Sequence, residues 1–361
     1  MASKHMPSGI ASDDAVTFEE LGLATRNHGM PLEGLRYDVT PVGMHYLLTH
    51  FDIPVADDGA WTITVGGRVR RELTISMDEL RSRPAVTVPV TMECAGNGRA
   101  RLHPRPLSQP WLDEAVGTGR WTGTPLAPIL RDAQLEDDAV EVVFRGADHG
   151  LQSGVEHDYE RSLSLADATD PDVLLAYAIN GAPLPPQHGF PVRLLVPGWY
   201  GMTSVKWLRS ITAVAAPFEG FQMWAYRSRT NEEDDGVPVT RMQPRALMIP
   251  PGIPDFFTRE RIVEAGPVTL EGRAWSGWAP VSRVEVSVDS DAGWEEAQLG
   301  DPIGDHAWSG WTLVWDARPG EHELRVRATD AAGNVQPLDE PWNHHGFANN
   351  MAQRVRVTVR S

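Results

Sequence analysis

The strongest constraint on the fold is the alternation of apolar and polar side chains in the last third of the chain. Residues 283–288, 323–328 and 354–359 each carry valine, leucine or alanine at every second position, with charged or hydroxyl side chains between them. Such alternation is typical of strands that bury one face. Because turn-forming stretches at 316–320 and 330–334 separate the runs, the pattern predicts a β-sandwich.

The earlier part of the chain mixes strands with loops. Strands are predicted over Val86–Met92, Val140–Phe144, 192–196 and 205–214, and the second of these leads into a loop at 146–150. Strand ends followed by loops are common places for functional side chains.

Two short helices are also predicted. Ser76 and Glu79 fit a capping box that opens a helix through Leu80. Thr124-Pro125 fits an N-cap and first helical position, with the helix ending near Ala133.

The pattern changes after about residue 215, and the acidic stretch 227–236 reads as a linker or surface excursion. We therefore predict an N-terminal arm over 1–40, an α+β domain over 41–238 and the sandwich domain over 239–361.

Composition limits the class of protein and its partners. The chain has 361 residues, of which 41% are hydrophobic and 22% charged, as expected for a soluble globular protein. Its net charge of -17 argues against nucleic acid or an anionic membrane as a partner. No apolar run is long enough to span a membrane.

The start of the chain bears on the compartment. Residues 1–14 are polar and lack an apolar signal core, and residues 1–6 resemble a cloning remnant. The sequence as it stands predicts a cytoplasmic protein, or a periplasmic one if an export signal has been removed. The single cysteine excludes an internal disulfide.

That cysteine, Cys94, lies directly after the strand predicted over Val86–Met92, and Arg99 follows it. A lone cysteine is most often a small buried apolar residue. At a strand end beside a positive charge it can also be a single soft metal ligand or a lone nucleophile. A zinc site of several cysteines is excluded.

A second candidate site is basic. The stretch 187–193 carries His188 and Arg193, and Lys206 follows in a later strand. Imidazole, guanidinium and ammonium groups together suit a phosphate or another anion, although a surface loop with ordinary salt bridges would show the same residues.

Two further groups have both a chemical and a structural interpretation. Asp148 and Tyr159 on neighbouring segments would suit proton transfer, but a half-buried tyrosine with a satisfied hydroxyl is more common. His344-His345 would suit a metal, but adjacent histidines on a solvated loop rarely bind one ion together.

Taken together, these stretches resemble the sulfite oxidase family of molybdenum enzymes. The similar motifs are Cys94-Ala95-Gly96-Asn97, His188–Arg193, Pro197-Gly198, Val205–Trp207 and Pro341–Asn343. The resemblance implies an α+β molybdopterin-binding domain followed by an all-β immunoglobulin-like domain that mediates dimerisation.

The resemblance also implies roles for individual residues. Cys94 would be the molybdenum ligand, and Arg99 would bind an anionic substrate beside Tyr159. The implied catalytic set is Cys94, Arg99, Trp111, Tyr159 and His345. The implied cofactor contacts are Thr49, His50, Cys94, Asp148, His188, Arg193, Ser204, Val205 and Lys206.

The family's sulfite-binding arginines are only partly present. Alignment by distance to Cys94 places Leu48 where the family has an arginine, and His345 replaces another. Arg26-Asn27-His28 copies the family's entry motif, but about twenty residues too early. Arg26, Arg36, Arg101 or a protonated His345 are the candidates to restore the positive charge that sulfite needs.

The expected function is oxygen-atom transfer by a molybdenum cofactor, without haem, in a homodimer that passes electrons to a separate acceptor. A basic cytochrome would suit the acidic surface. One alternative is the same fold acting on another oxo substrate such as a sulfoxide. Others are a non-catalytic interaction protein that has lost its cofactor, and a thiol hydrolase.

Overall fold

The structure is a computed structural model that describes residues 16–289, 293–339 and 341–361. The residues read as a cloning remnant, 1–6, lie outside the described residues. No helix in the described ranges is long and apolar enough to cross a membrane.

The helices are short and are mostly set by local capping. The α-helices are α1 (Phe18–Arg26), α2 (Met77–Ser82), α3 (Leu126–Ala133), α4 (Leu165–Ala168) and α5 (Phe221–Ala225). Single 3₁₀ turns lie at Leu32–Arg36, Val42–Met44, Asp58–Ala60, Arg99–Arg101, Pro186–His188 and Gly201–Thr203.

Helix α2 begins as predicted, because the Ser76 side chain accepts a hydrogen bond from the backbone N–H of Glu79 at 3.1 Å. Helix α3 ends at Ala133 as predicted, but its N-cap is Pro125 and not Thr124. The Thr124 hydroxyl instead donates to the carbonyl of Leu80, which ties α3 to the end of α2.

Strands dominate the N-terminal part as well as the C-terminal part. The first twelve are β1 (Thr62–Gly67), β2 (Leu73–Ser76), β3 (Val86–Glu93), β4 (Val116–Pro125), β5 (Glu141–Gln152), β6 (Val155–Ser164), β7 (Leu174–Ile179), β8 (Ala182–Pro183), β9 (Arg193–Leu195), β10 (Leu208–Val214), β11 (Arg227–Ser228) and β12 (Val237–Pro238).

The remaining strands are β13 (Arg245–Met248), β14 (Ile253–Pro254), β15 (Arg261–Glu264), β16 (Gly266–Trp275), β17 (Val281–Val288), β18 (Glu295–Glu296), β19 (Gln298–Leu299), β20 (Ser309–Ala317), β21 (Gly320–Asp330) and β22 (Gln353–Arg360). The alternating runs read from the sequence are β17, β21 and β22.

Two sheets build the N-terminal half. One has the order β2-β1-β10-β5-β6, with β1 parallel to β10. The other has the order β3-β4-β7-β8, with β9 also paired to β7. A large apolar core, which includes Trp61, Phe144 and Trp207, packs the first sheet against α2 and α3.

The C-terminal half is the predicted sandwich. Its sheets have the orders β13-β16-β20-β19 and β14-β15-β22-β21-β17-β18. Their inner faces share a second core, in which the alternating valines of β17 and β22 are buried. The fold class expected from the sequence, an α+β domain followed by an immunoglobulin-like sandwich, is confirmed.

A third apolar cluster joins the two halves. Met30 and Leu35 from the N-terminal segment pack there with Ala95, Trp275 and Phe347. This shared core lies behind the loop that carries Cys94. The exact limits of the arm and of the two domains stay a prediction.

Candidate active site

Cys94 lies at the end of β3, where the sequence predicts it. The backbone N–H of Cys94 donates to the carbonyl of Ala115 at 2.9 Å, and the residue is 6% exposed. Gly98, which follows the turn, has a φ of 85°, a left-handed conformation that favours glycine. Burial raises the pKa of the Cys94 thiol, while the Gly96 backbone and the charge of Arg99 oppose that rise.

A cleft of about 590 Å³, counted out to its open mouth, lies over Cys94. It is lined by residues from both N-terminal sheets and from the segment 45–50. The lining residues are His45, Tyr46, Leu47, Leu48, His50, Met92, Cys94, Asp148, Tyr159, His188, Arg193, Gly201, Met202, Ser204, Lys206 and Tyr226. The cleft therefore brings together the cysteine and most of the predicted cofactor contacts.

The basic side chains in the cleft are held by backbone carbonyls and not by carboxylates. Lys206 Nζ donates to the carbonyls of Leu48 and Gln187, at 2.9 and 3.1 Å. Arg193 donates to the carbonyls of His188 and Ser204, at 3.1 and 2.8 Å. These bonds fix the orientation of the two cations without neutralising their charge.

Burial lowers the pKa of both cations. The pKa of Arg193 falls to about 10. The pKa of Lys206 also falls, because of burial and the charge of Arg193. The charge of Asp148 in the same cleft opposes part of the fall in the Lys206 pKa, but neither cation forms a salt bridge with a carboxylate in the described part of the chain. Buried positive charge that is only partly compensated is costly, so this end of the cleft favours an anion.

Asp148 enters the cleft from a bulge that the sequence did not reveal. The sequence predicts a loop at 146–150, but β5 runs through it, and the pairing with β6 is irregular between Arg145 and His149. The loop prediction was therefore wrong. Asp148 is 4% exposed, and its Oδ1 atom has no hydrogen-bond partner within the described residues. Burial raises its pKa.

Three histidines in the cleft are neutral at pH 7. Burial lowers the pKa of His45 to about 4, of His50 to about 3 and of His188 to about 2. His188 and His45 meet edge to face, with ring centroids 5.6 Å apart. His45 was not among the predicted site residues, because it lies outside the segment that was compared with the family's motif.

Three tyrosines face the cleft, of which the sequence identified only Tyr159. The Tyr159 hydroxyl donates to the carbonyl of Met202 at 2.7 Å. Tyr226 Oη lies 2.8 Å from His50 Nε2 and shares a hydrogen bond with it. Burial raises the pKa of Tyr226 well above its ordinary value, so its phenol stays protonated. Sequence reasoning missed Tyr226 and Tyr46, since neither belongs to a recognised motif.

Arg99 is close to Cys94 but lies behind the cleft wall. Its guanidinium donates to the carbonyl of His345 at 2.7 Å and to that of Gln109 at 3.2 Å. The guanidinium carbon also lies 5.1 Å from the centre of the Phe347 ring. Arg99 is not among the residues that line the cleft.

The other predicted site residues lie around the cleft without lining it. Trp111 packs in the same apolar cluster as Cys94 and is 5% exposed. Thr49 lies next to the cleft, with its hydroxyl 3.5 Å from Lys206 Nζ, and Val205 is buried in the first core.

The candidates for a compensating positive charge do not reach the cleft. Burial lowers the pKa of His345 to about 3, which disfavours the protonated form that would supply a charge. Arg101 is paired with Asp113, and Arg26 donates to the carbonyl of His50 at 2.9 Å. Arg36 is exposed and lies outside the cleft lining.

Arg26-Asn27-His28 is remote in sequence but close in space. His28 forms an antiparallel bridge with Leu47. The side chain of Asn27 accepts a hydrogen bond of 2.8 Å from the backbone N–H of Thr49. This motif therefore supports the segment 47–50, which forms one wall of the cleft.

The donor groups of the cleft fit a molybdenum–pterin cofactor. A buried thiol suits a soft metal, and buried cations suit a phosphate. The Oδ1 atom of Asp148, which lacks a hydrogen-bond partner in the described part of the chain, adds a polar group that a ligand could satisfy.

Comparison with known families supports the same assignment. Residues 50–222 match the model of the oxidoreductase molybdopterin-binding domain, and residues 249–360 match that of the Mo-co oxidoreductase dimerisation domain.

Individual relatives show the same pattern. In an alignment of 343 positions that covers 89% of this chain, the sequence is 35% identical to mitochondrial sulfite oxidase of Mus musculus, and the match covers 62% of that protein. Over 357 residues it is 32% identical to a nitrate reductase [NAD(P)H] of Hordeum vulgare, of which it covers 39%. The chain thus spans only part of these relatives.

A solved structure shares the whole fold. The sulfane dehydrogenase SoxCD from Paracoccus pantotrophus superposes with a TM-score of 0.80 at 22% identity, covering 100% of this chain and 96% of that one. The two family matches, the relatives and the cleft around Cys94 agree, and the chain belongs to the sulfite oxidase family of molybdopterin-dependent oxidoreductases.

Proposed function

We propose that the chain carries out oxygen-atom transfer on a small oxo substrate, such as sulfite, and passes the electrons to a separate acceptor. The observation that carries the proposal is the position of the lone thiol, Cys94, in one cleft with two buried cations, Lys206 and Arg193, that are held by backbone carbonyls. The bound cofactor would supply the two-electron oxygen-atom chemistry.

The chain's own residues would hold the cofactor at both ends. Cys94 would be the metal ligand, and Lys206, Arg193 and His188 would bind the phosphate group. Asp148 would accept a hydrogen bond from the pterin through its unpaired Oδ1. The Ser204 hydroxyl accepts a hydrogen bond from the backbone N–H of Val196, and its own O–H group would donate to the cofactor.

The substrate would meet the phenol groups of Tyr226 and Tyr159, which line the cleft. Arg99 is outside the cleft lining, where its guanidinium is bound to backbone carbonyls, and it would act on the substrate through its charge. Tyr226 Oη, bonded to His50 Nε2, can hold or pass one proton next to the substrate.

Loss of the metal should identify the ligand. We expect near-stoichiometric molybdenum in the wild type and almost none in Cys94→Ser, with an unchanged circular dichroism spectrum. Ser210→Ala, a change on β10 away from the cleft, serves as the matched control and should keep its metal. A wild-type protein that binds no molybdenum or pterin when both are supplied would refute the proposal.

The second candidate function is the reduction or oxidation of a sulfoxide or another uncharged oxo compound. Two observations favour it: Leu48 lines the cleft where the family has an arginine, and His345 is neutral. Steady-state assays with sulfite and with dimethyl sulfoxide, both coupled to artificial dyes, separate the two. Turnover of sulfite alone rejects this candidate.

For the electron acceptor we propose a separate basic protein such as a cytochrome, with no haem in this chain. The net charge of -17 would attract such a partner at long range. The rate with a basic cytochrome should therefore fall as ionic strength rises, and a rate that is independent of salt argues for another acceptor.

The sandwich domain would form the homodimer.

A further inference from the structure

A buried charge network lies directly behind the Cys94 loop. Glu93 and Asp113 are each 1% exposed, and Arg245 at the start of β13 is 0% exposed. Arg245 donates to Glu93 Oε1 at 3.1 Å and to Asp113 Oδ1 at 2.8 Å. Since β13 belongs to the sandwich, this arginine reaches from one half of the molecule to the residue that precedes Cys94.

The same arginine also holds backbone groups. Its Nη1 atom donates to the carbonyl of Asn349 at 2.8 Å and lies 3.5 Å from that of Asn97. Asn97 in turn donates to Glu93 at 2.9 Å and accepts from the backbone N–H of Ala115 at 3.0 Å. These contacts thus surround the peptide that carries the Cys94 thiol.

Other residues of the C-terminal half support the network. Trp275 Nε1 donates to Glu93 Oε2 at 2.9 Å, and the backbone N–H of Ala348 donates to the carbonyl of Ala95 at 2.7 Å. A side chain at Gly98 would come within 2.9 Å of the Asn349 carbonyl. The loop is therefore fixed from the sandwich side at both of its ends.

The network pairs two buried carboxyl groups with two arginines. Glu93 and Asp113 supply the carboxyl groups, and Arg245 and Arg101 supply the guanidinium groups. Burial acts to raise the pKa of Asp113, but the charges of Arg101 and Arg245 outweigh it and the pKa is lowered. Removal of Arg245 would leave an uncompensated buried carboxylate one residue from Cys94.

We propose that Arg245 is a positioning residue for Cys94, and that the sandwich domain completes the metal-binding peptide in addition to any part in dimer formation. The role of Cys94 as ligand rests on the proposed function, but the control of its loop by Arg245 does not. A second sandwich arginine, Arg261, provides a contrast: it is 3% exposed but bonds to Glu33 and to the Pro250 carbonyl, away from the loop.

The test compares Arg245→Met with Arg261→Met, a matched change of another buried arginine. Hydrogen exchange is measured on the cofactor-free protein at the amides of Cys94, Asn97 and Arg99, which are hydrogen-bonded within the loop or to its neighbour. In Arg245→Met these amides should exchange roughly tenfold faster or more. In Arg261→Met they should exchange as in the wild type.

Trp275→Phe keeps the proposal testable if Arg245→Met does not fold. It removes only the N–H group that bonds Glu93, and it should accelerate exchange at the same amides by a smaller factor. Exchange in Arg245→Met that equals the wild type, or equal loosening in Arg261→Met, overturns the proposal. If Arg245→Met does not fold, equal exchange in the wild type and Trp275→Phe overturns it.

A second readout separates positioning from general stability. In the metal-loaded enzyme, the midpoint potential of Arg245→Met should be lower than that of the wild type, because a positive charge near the ligand is lost. The potential of Arg261→Met should be unchanged. If Cys94→Ser retains its molybdenum, the proposed function fails, while the exchange experiment still decides the role of Arg245.

Discussion

At the level of single residues, the groups that line the cleft differ from the groups that the sequence led us to expect. The sequence points to Arg99 and Tyr159, but Arg99 is bound to two backbone carbonyls behind the wall, and the Tyr159 hydroxyl is bonded to Met202. Tyr226, which the sequence did not indicate, lines the cleft and is hydrogen-bonded to His50. The phenol of Tyr226 is thus the group best placed to act on a substrate.

Removal of that phenol should lower catalysis. We expect Tyr226→Phe to reduce kcat/KM by about tenfold to a hundredfold, the usual effect of losing a hydrogen bond to a charged or reacting group. Stopped-flow and steady-state kinetics provide the measurement. Tyr200→Phe, which alters a buried tyrosine outside the cleft lining, is the control and should retain its rate. Equal effects of the two changes would contradict this role.

Leu48 offers a test of substrate charge. Leu48→Arg places a cation in the cleft, so the KM for sulfite should fall by roughly tenfold, while the KM for a neutral sulfoxide should not fall. Leu48→Gln has a similar size without the charge, and it should leave the ratio of the two KM values unchanged. A ratio that is the same in all three proteins rejects the electrostatic explanation.

At the level of elements, the predictions succeeded where local sequence determines the structure, and they failed where the structure depends on strand pairing or tertiary packing. The alternation over 283–288 predicts β17, and Ser76 caps α2, because a strand face and an N-cap are set by neighbours in the chain. The bulge that carries Asp148 depends on the register between β5 and β6, and the position of Tyr226 depends on how α5 packs. Single-sequence patterns do not contain that information.

The bulge is also sensitive to side-chain volume. A Cβ atom at Gly146 would overlap Asp148 Oδ1 and would lie 2.7 Å from the Lys206 carbonyl. We expect Gly146→Ala to reduce the free energy of unfolding by about 1–3 kcal/mol, as overpacking usually does, and to reduce cofactor content. Urea denaturation and metal analysis measure both quantities. Gly43→Ala, with nothing within 4 Å of the added carbon, is the control, and an equal loss there would contradict the argument.

At the level of the whole molecule, stability should depend on the buried neutral histidines. The pKa values of His45, His50 and His345 in the folded state are about 4, 3 and 3. The unfolded chain, with an ordinary pKa near 6.5 for each, therefore binds more protons below that pH. The stability that these neutral histidines contribute is fully present above pH 6.5 and is lost as the pH falls toward 4.

The cofactor-free protein should show this loss. Each histidine should contribute up to roughly 1.4 kcal/mol per pH unit to the fall in unfolding free energy between pH 6 and pH 4. Urea denaturation at several pH values measures the slope, and His45→Phe should reduce it. His149→Gln removes an exposed histidine whose pKa is raised by Glu156 and Asp158, and it should leave the slope in this range intact. If His45→Phe leaves the slope unchanged, His45 does not cause this pH dependence.

The contact of the C-terminal segment with the Cys94 loop has a consequence for biosynthesis. Asn349 lies 251 residues after Gly98, to whose carbonyl it donates, and the backbone N–H of Ala348 donates to the carbonyl of Ala95. The Cys94 loop therefore cannot complete these contacts until translation has passed residue 349. We expect cofactor insertion to follow synthesis of the sandwich domain, so a product truncated before residue 348 would compete poorly for a scarce cofactor.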